Sequence, residues 1–169
     1  MKEEKKIRER VDYRDVREMV EDIGDRFGTH GAYAYRINPR DKEIQKKNYI
    51  ELRSDVRSLA TAFISRGLAG KHITLIGKFS YNWVLVYYAS LVTGSVLIPL
   101  DREWNATDLA DTAKRANTGV VIFDDDIADK AKEVSDATGA EASLSVDSDI
   151  NELLREGARL FSEGDRSYY

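Results

Sequence analysis

The sequence predicts an α/β protein of three layers, in which a mostly parallel sheet is flanked by helices. Short apolar runs with the character of strands alternate with segments of about 10 to 15 residues that have helical spacing. The apolar runs are nearly continuous, which is typical of parallel strands covered by helices on both faces. An N-terminal helix and a β-hairpin precede this alternation.

The N-terminal helix and hairpin occupy residues 1–47, which we expect to form an appendage. Apolar residues recur at helical spacing within residues 12–27 and predict an amphipathic helix. Two extended runs then flank the turn-forming residues Asn38 to Asp41, which predicts a hairpin. Tyr33 and Tyr35 alternate with alanine, as on one face of a strand.

The α/β core is expected to span residues 48–169. Asn48, Ser80 and Asn105 stand where helix N-caps are expected, and Glu51 completes a capping box with Asn48. The predicted strands are 72–77, 95–100, 119–123 and 141–146, the last an edge strand, and the predicted helices begin near 48, 80, 105, 127 and 151. The helix that follows Ser80 is apolar nearly all round and is therefore expected to be buried.

The second predicted strand ends in the motif "VLIPLD". Pro99 cannot donate a hydrogen bond to a sheet, so it marks the end of a strand or an unpaired position. Asp101 then follows the carboxyl end of a parallel strand, where ligands bind in open α/β sheets. The simpler interpretation is that Asp101 is a polar residue leading to the next helix.

Composition excludes several functional classes. The 169 residues carry a net charge of −4, and no basic stripe is present, which argues against a nucleic-acid partner. The absence of cysteine excludes disulfides, zinc–thiolate sites and a thiol nucleophile.

Two segments bear on membranes and targeting. Residues 83–100 carry no charge, but Gly94 and Pro99 interrupt them, so we expect a helix and a strand rather than a membrane span. The first ten residues have mixed charge and no apolar core, unlike a secretory signal. We therefore expect a cytoplasmic protein.

Two segments suggest phosphate or metal chemistry. "GKFS" at Gly77 to Ser80 lies between a strand and a helix, but it lacks the earlier glycine and the hydroxyl residue of a P-loop. The triplet Asp124 to Asp126 follows a strand and could hold Mg²⁺ together with Asp101 and Lys78. A solvated loop at a helix N-terminus explains the same triplet without a metal.

The remaining candidates form no complete catalytic group. His30 and His72 lack neighbours with metal-ligand spacing, and Ser80 lacks the glycines of a nucleophile elbow. Tyr87 and Tyr88 fit core packing, with an aromatic wall of an acyl pocket as the alternative. We therefore predict no catalytic, cofactor-binding or metal-binding residue in this chain.

Three stretches taken in order resemble the start of the AMP-forming adenylating enzymes. A helix start is matched by Asn48, Tyr49, Glu51 and Leu52; "KHITLIGKFSYNW" and "GSVLIPLD" match the strand–helix and strand that follow. The hairpin and "PLDRE" favour the acyl-CoA synthetase branch with fatty-acid substrates. Phe79 and Asn82 depart from the family's pattern, in which asparagine and glutamate occupy these positions.

The resemblance implies a function. Such enzymes use ATP and Mg²⁺ to convert a carboxylic acid, here a fatty acid, into an acyl-adenylate and then transfer the acyl group to CoA. The phosphate-binding loop and the catalytic groups of the family have no counterpart before Tyr169. We therefore expect an N-terminal part, inactive alone, of an AMP-binding domain in which residues 94–101 form a core strand.

Two further expectations accompany this interpretation. The alternative function is a stand-alone α/β interaction or regulatory module that binds Mg²⁺ or a nucleotide near Asp124 to Asp126. A partial sheet also exposes apolar surface, which can drive self-association.

Overall fold

The computed structural model describes residues 10–37 and 40–169. Asn38 and Pro39 of the predicted turn, and the first nine residues of the charged N-terminus, lie outside the described residues. The helices are α1 (Val16–Phe27), α2 (Tyr49–Ser65), α3 (Tyr81–Val92), α4 (Ala106–Arg115), α5 (Ala128–Thr138) and α6 (Asp149–Ser162). The strands are β1 (Gly31–Tyr35), β2 (Gln45–Asn48), β3 (His72–Ile76), β4 (Val96–Leu100), β5 (Val120–Phe123) and β6 (Ala142–Ser145).

The core contains a four-stranded parallel sheet with the order β4-β3-β5-β6. Ile73 of β3 is in register with Leu97 on one side and with Val120 on the other. The chain passes from β3 outward to β4 and then crosses back to β5, so the order reverses between β3 and β5. In open α/β sheets a crevice forms outside the carboxyl ends of the strands at this reversal.

Helices cover both faces of the sheet, as the sequence predicted. Leu75 of β3 belongs to a large apolar cluster with α1, α2, α3 and α6, while the next residue, Ile76, belongs to a smaller cluster with α4 and α5. Successive residues of a strand point to opposite faces, so one continuous apolar run serves both clusters. The three-layer α/β prediction is confirmed.

The predicted caps are confirmed, whereas several helix boundaries differ. The Asn48 side chain accepts a hydrogen bond from Glu51 N–H at 2.9 Å, and Glu51 accepts one from Asn48 N–H at 2.8 Å. Ser80 and Asn105 cap α3 and α4 in the same way. The first helix begins only at Val16, after Asp15 as N-cap. The last helix begins two residues before the predicted Asn151.

Strand β4 lies at one edge of the sheet. Within the described residues it pairs only with β3, and its place as a core strand of a larger domain stays a prediction. Val96 is 49% exposed. Pro99 lies in register with Leu75, and the strand continues to Leu100. An edge strand tolerates proline because its outer side needs no N–H donor, which confirms the predicted unpaired position.

Helix α3 corrects one prediction. Its inner side is buried, with Leu85 and Ala89 both 0% exposed. Its outer side is not: Tyr87 is 38% exposed, and Phe79, just before the helix, is 71% exposed. An apolar composition therefore did not mean burial on all sides. In the part of the chain that the structure describes, no helix is long and apolar enough to cross a membrane.

The antiparallel hairpin of β1 and β2 packs against α2 and α3 through one aromatic cluster. Tyr35 stacks on Tyr81 with ring centroids 5.2 Å apart, and Tyr33 lies 5.5 Å from the same ring. The Tyr81 hydroxyl and the Lys47 ammonium both donate to Asp55 Oδ2 at 2.8 Å. Both tyrosines thus lie on one face of β1, as their alternation with alanine predicted.

Candidate functional site at the carboxyl edge of the sheet

Asp124 lies at the point where the strand order reverses, directly after β5. Its backbone N–H donates to Ile76 O at 3.2 Å, which extends the pairing of β5 with β3 by one step. Its carboxylate accepts a 2.7 Å hydrogen bond from Lys78 N–H. The side chain is only 7% exposed. A Cβ at Gly77 would lie 2.5 Å from Asp124 Oδ1, so this close approach requires a glycine at position 77.

Arg102 connects Asp124 with a second carboxylate. Its Nη1 donates to Asp124 Oδ2 at 2.6 Å, and both terminal nitrogens donate to Asp126 at 3.0 and 2.9 Å. The Lys78 ammonium also donates to Asp126, at 2.7 Å. Two cations and two carboxylates therefore form one cluster across the ends of β3, β4 and β5. We call these four residues the edge cluster.

The loop that carries Arg102 is itself held in place. The Lys130 ammonium of α5 donates to Arg102 O at 3.1 Å and to Trp104 O at 3.0 Å. Because the backbone on both sides of Glu103 is anchored, the guanidinium meets the two carboxylates from a fixed position. The guanidinium is planar and carries several N–H donors in a fixed arrangement, which suits simultaneous contact with two carboxylates.

The electrostatic environments of the two carboxylates differ. Hydrogen bonds from Arg102 and then from Lys78 hold the pKa of Asp126 well below its ordinary value. Burial raises the pKa of Asp124, although hydrogen bonds from Lys78 N–H and Arg102 oppose that shift. Hydrogen bonds to Asp126 likewise raise the pKa of Arg102. The network therefore favours a charged Arg102–Asp126 pair at neutral pH.

The structure brings together some of the predicted metal candidates and separates others. Lys78, Asp124 and Asp126 meet in the edge cluster. Asp125 instead donates its backbone N–H to Asp147 Oδ2 at 3.1 Å. Asp101 is exposed, and its Oδ1 accepts a hydrogen bond from Glu103 N–H at 2.9 Å within a turn.

The charged groups of the edge cluster are already partnered within this chain. Within residues 10–37 and 40–169, no three carboxylate or histidine side chains are grouped so that they could hold a metal ion. Lys78 and Arg102 have the charge to bind phosphate, but both already pair with carboxylates of this chain. The arrangement joins three strand ends and offers no oxygen cage or free cation.

The histidines and Ser80 have structural partners. His30 Nδ1 lies 2.6 Å from Phe27 O, and His72 Nδ1 lies 2.6 Å from Ala116 O, so each ring donates to a backbone carbonyl. Ser80 Oγ accepts from Trp83 N–H at 3.1 Å as a helix cap.

A cavity of about 450 Å³ opens between the hairpin and the first turns of α3 and α6. Tyr35 and Arg36 line one side, and Asn82, Asp147 and Asn151 line the other. The Asn82 amide donates to Val146 O at 2.9 Å and to Asn151 Oδ1 at 3.2 Å. No nucleophile and base pair up among these lining residues, so the cavity offers polar contacts without a catalytic group.

Arg102 is the residue that sequence reasoning missed. It follows β4 in "PLDRE", where Asp101 attracted attention as the residue after the strand. A signal was present in the sequence: Arg102 follows one predicted strand, and Asp124 to Asp126 follow another. A parallel sheet brings the carboxyl ends of its strands to the same edge. The sequence did not give the strand order, and so it did not reveal which acid the cation would meet.

Comparisons with known proteins identify the family. The family described as AMP-binding enzyme matches residues 10–167. The chain belongs to this family. The recognised resemblance to AMP-forming enzymes is thereby confirmed. The medium-chain acyl-CoA ligase ACSF2, mitochondrial, of Macaca fascicularis is 26% identical over 98 residues, which are 54% of this chain and 16% of that protein.

Solved structures of low sequence identity have the same fold as this chain. A long-chain-fatty-acid-CoA ligase, FadD1 from Archaeoglobus fulgidus, superposes with a TM-score of 0.75 at 17% identity, over 85% of this chain and 30% of that one. The N-terminal domain of FACL13 from Mycobacterium tuberculosis superposes with a TM-score of 0.71 at 18% identity, over 83% and 35%. The chain thus spans about a third or less of the length of these relatives.

Proposed function

We propose that this chain is the N-terminal part of an ATP-dependent, AMP-forming acyl-CoA ligase with a fatty-acid substrate. The observation that carries the proposal is the family match over residues 10–167. The fold likeness to a long-chain-fatty-acid-CoA ligase over 85% of the chain supports it. The full enzyme would use ATP, Mg²⁺ and CoA.

The proposed reaction has two steps. A carboxylate oxygen attacks the α-phosphorus of ATP, which forms an acyl-adenylate and releases pyrophosphate. The CoA thiol then attacks the acyl carbon, loses its proton and releases AMP. Adenylation converts a poor leaving oxygen into a good one, and cationic groups must stabilise the phosphates in the transition state.

Within the described residues, the role we assign to this chain is structural. The edge cluster pairs its two cations internally, and neither histidine has an ionisable partner. We propose that the described part supports the shape of the large domain and that the chain alone is inactive. The catalytic groups would then come from other parts of a longer enzyme.

Two measurements test this proposal. Carboxylate-dependent exchange of pyrophosphate into ATP should be absent with this chain alone; exchange above background would contradict the assigned inactivity.

An antibody raised against the chain should detect a native polypeptide several-fold larger than 19.2 kDa in the source cell. A native band at 19.2 kDa would instead support the stand-alone module. The cytoplasmic location stays a prediction that cell fractionation checks.

A further inference from the structure

The hairpin of β1 and β2 has an inner face on the protein and an outer face in solvent. Tyr33 and Tyr35 pack on Tyr81, so they lie on the inner face. Successive residues of a strand point to opposite faces, so Ala34 and its register partner Lys46 lie on the outer face. Both are exposed. The outer face of the hairpin is therefore accessible in the described chain.

Two large apolar side chains are exposed at the free end of the hairpin. Ile37 follows β1 and is 71% exposed, and Ile44 directly precedes β2 and is 48% exposed. Tyr35 is in register with Gln45, so both isoleucines lie at the end of the hairpin opposite to its connection with α2. Two exposed isoleucines at one end provide a small apolar surface.

Unpaired cations accompany these isoleucines. Within the described residues, four exposed side chains of this segment take part in no ion pair or hydrogen bond, namely those of Arg36, Arg40, Lys42 and Lys46. Lys47 on the inner face, in contrast, pairs with Asp55 at 2.8 Å. Residues 36–46 contain only two acids, so this segment is positive in a chain whose net charge is −4. We call the four cations and the two isoleucines the hairpin end.

This combination selects the chemistry of the partner. Lys and Arg side chains are long enough to place their charge on lipid phosphates while neighbouring side chains leave water. Isoleucine side chains gain by transfer into the boundary between headgroups and acyl chains. An acidic protein surface would pair with the cations, but it would place the isoleucines against charged groups. The remainder of the chain is negative, so an anionic surface attracts the hairpin end and repels the other faces.

We propose that the hairpin end docks this protein on the surface of a membrane that contains anionic lipids. The contact is peripheral: side chains enter the interface, the strands keep their inner face on Tyr81, and no backbone enters the hydrocarbon region. Apolar side chains and cations act together, since either set alone gives only weak and reversible attachment.

Co-sedimentation with lipid vesicles tests this inference. The 169-residue chain should bind vesicles of phosphatidylcholine mixed with phosphatidylserine and should not bind vesicles of phosphatidylcholine alone. Binding should fall several-fold between about 0.1 M and 0.5 M NaCl, because salt screens the attraction. Lys46→Glu should weaken binding about 10-fold, and the double variant Ile37→Ser, Ile44→Ser should weaken it by a similar factor.

Two control variants make the same chemical changes elsewhere. Lys114→Glu reverses the charge of an exposed lysine on α4, so it gives the same net charge as Lys46→Glu. Val96→Ser removes an apolar side chain that is 49% exposed on β4, close to the 48% of Ile44. Both should leave vesicle binding nearly unchanged. Hydrogen exchange then locates the contact: mixed vesicles should slow exchange in residues 31–48 and leave α4 and α5 unaffected.

Four results would overturn the proposal. The first is no binding to mixed vesicles at the lower salt concentration, and the second is equal binding to vesicles of phosphatidylcholine alone. The third is a loss of binding in the control variants as large as in the hairpin variants. The fourth is a loss on charge reversal without any loss in the isoleucine variant, which would instead assign the hairpin end to an acidic protein partner. None of these results bears on the proposed ligase function, which the exchange and size measurements test separately.

Discussion

At the scale of single residues, the edge cluster depends on Arg102. Asp124 is 7% exposed and receives one hydrogen bond from a backbone N–H and one from this guanidinium. Arg102→Gln should lower the free energy of unfolding by about 2 kcal/mol, because a buried carboxylate then loses a charged partner. Urea unfolding measures the change. Lys132→Gln removes an exposed ion pair with Asp136 and should have little effect. Equal effects of the two variants would contradict this role of Arg102.

The second residue-scale prediction concerns acid stability. Because Arg102 and Lys78 hold the pKa of Asp126 below its ordinary value of 3.8, its contribution to stability is complete above about pH 4. It is lost as the pH falls through the lowered pKa of the folded state. Asp126→Asn should therefore reduce stability at pH 7 and flatten the decline below pH 4. Unfolding curves from pH 7 to pH 2 check this, and an unchanged acid profile would contradict it.

At the scale of elements, α2 and α6 pack backbone to backbone at Gly157. A Cβ at this position would lie 1.7 Å from Ser58 O. Gly157→Ala should therefore force the helices apart and cost about 1–3 kcal/mol by overpacking, despite the better helix propensity of alanine. Thermal unfolding measures the loss.

Gly24 of α1 provides a matched control for this prediction. The three atoms nearest to a Cβ there belong to the Arg53 side chain, the first at 2.6 Å, and a side chain can move where a backbone cannot. Gly24→Ala should cost clearly less than Gly157→Ala. A larger loss at Gly24 would show that helix separation does not set the cost.

At the scale of the whole molecule, the N-terminal elements and the α/β core share one apolar cluster. Val20 of α1 is 1% exposed, and Tyr33 and Tyr35 cover Tyr81. A polypeptide of residues 48–169 would expose this surface and should lose cooperative unfolding or aggregate, whereas residues 10–169 should unfold in one transition. Calorimetry of both polypeptides tests this. A stable, cooperative 48–169 would show that the core does not need residues 1–47, in agreement with the predicted appendage.

Much of the fold could be predicted because its signals are local. The capping side chains of Asn48, Ser80 and Asn105 act on N–H groups only a few residues away, so the sequence alone locates those helix starts. The start of α6 was less accurate, because this helix begins at Asp149 after Ser148, whose side chain makes no cap hydrogen bond. The candidate site was only partly predictable, since the contact of Arg102 with Asp124 joins residues from separate strand ends.

The sequence by itself determined the α/β class, the helix caps and the resemblance to AMP-forming enzymes, and it left a strand end or an unpaired position open for Pro99. The caps follow from spacing within short segments, and the class and the resemblance follow from the order of such segments along the chain. Only the tertiary structure decided the order β4-β3-β5-β6, the edge position of β4 in this sheet, the pairing of Lys78 and Arg102 with Asp126, and the exposure of Phe79 and Tyr87. These features depend on which distant segments pack together, because burial and ion pairing are properties of the assembled layers rather than of a segment's own composition.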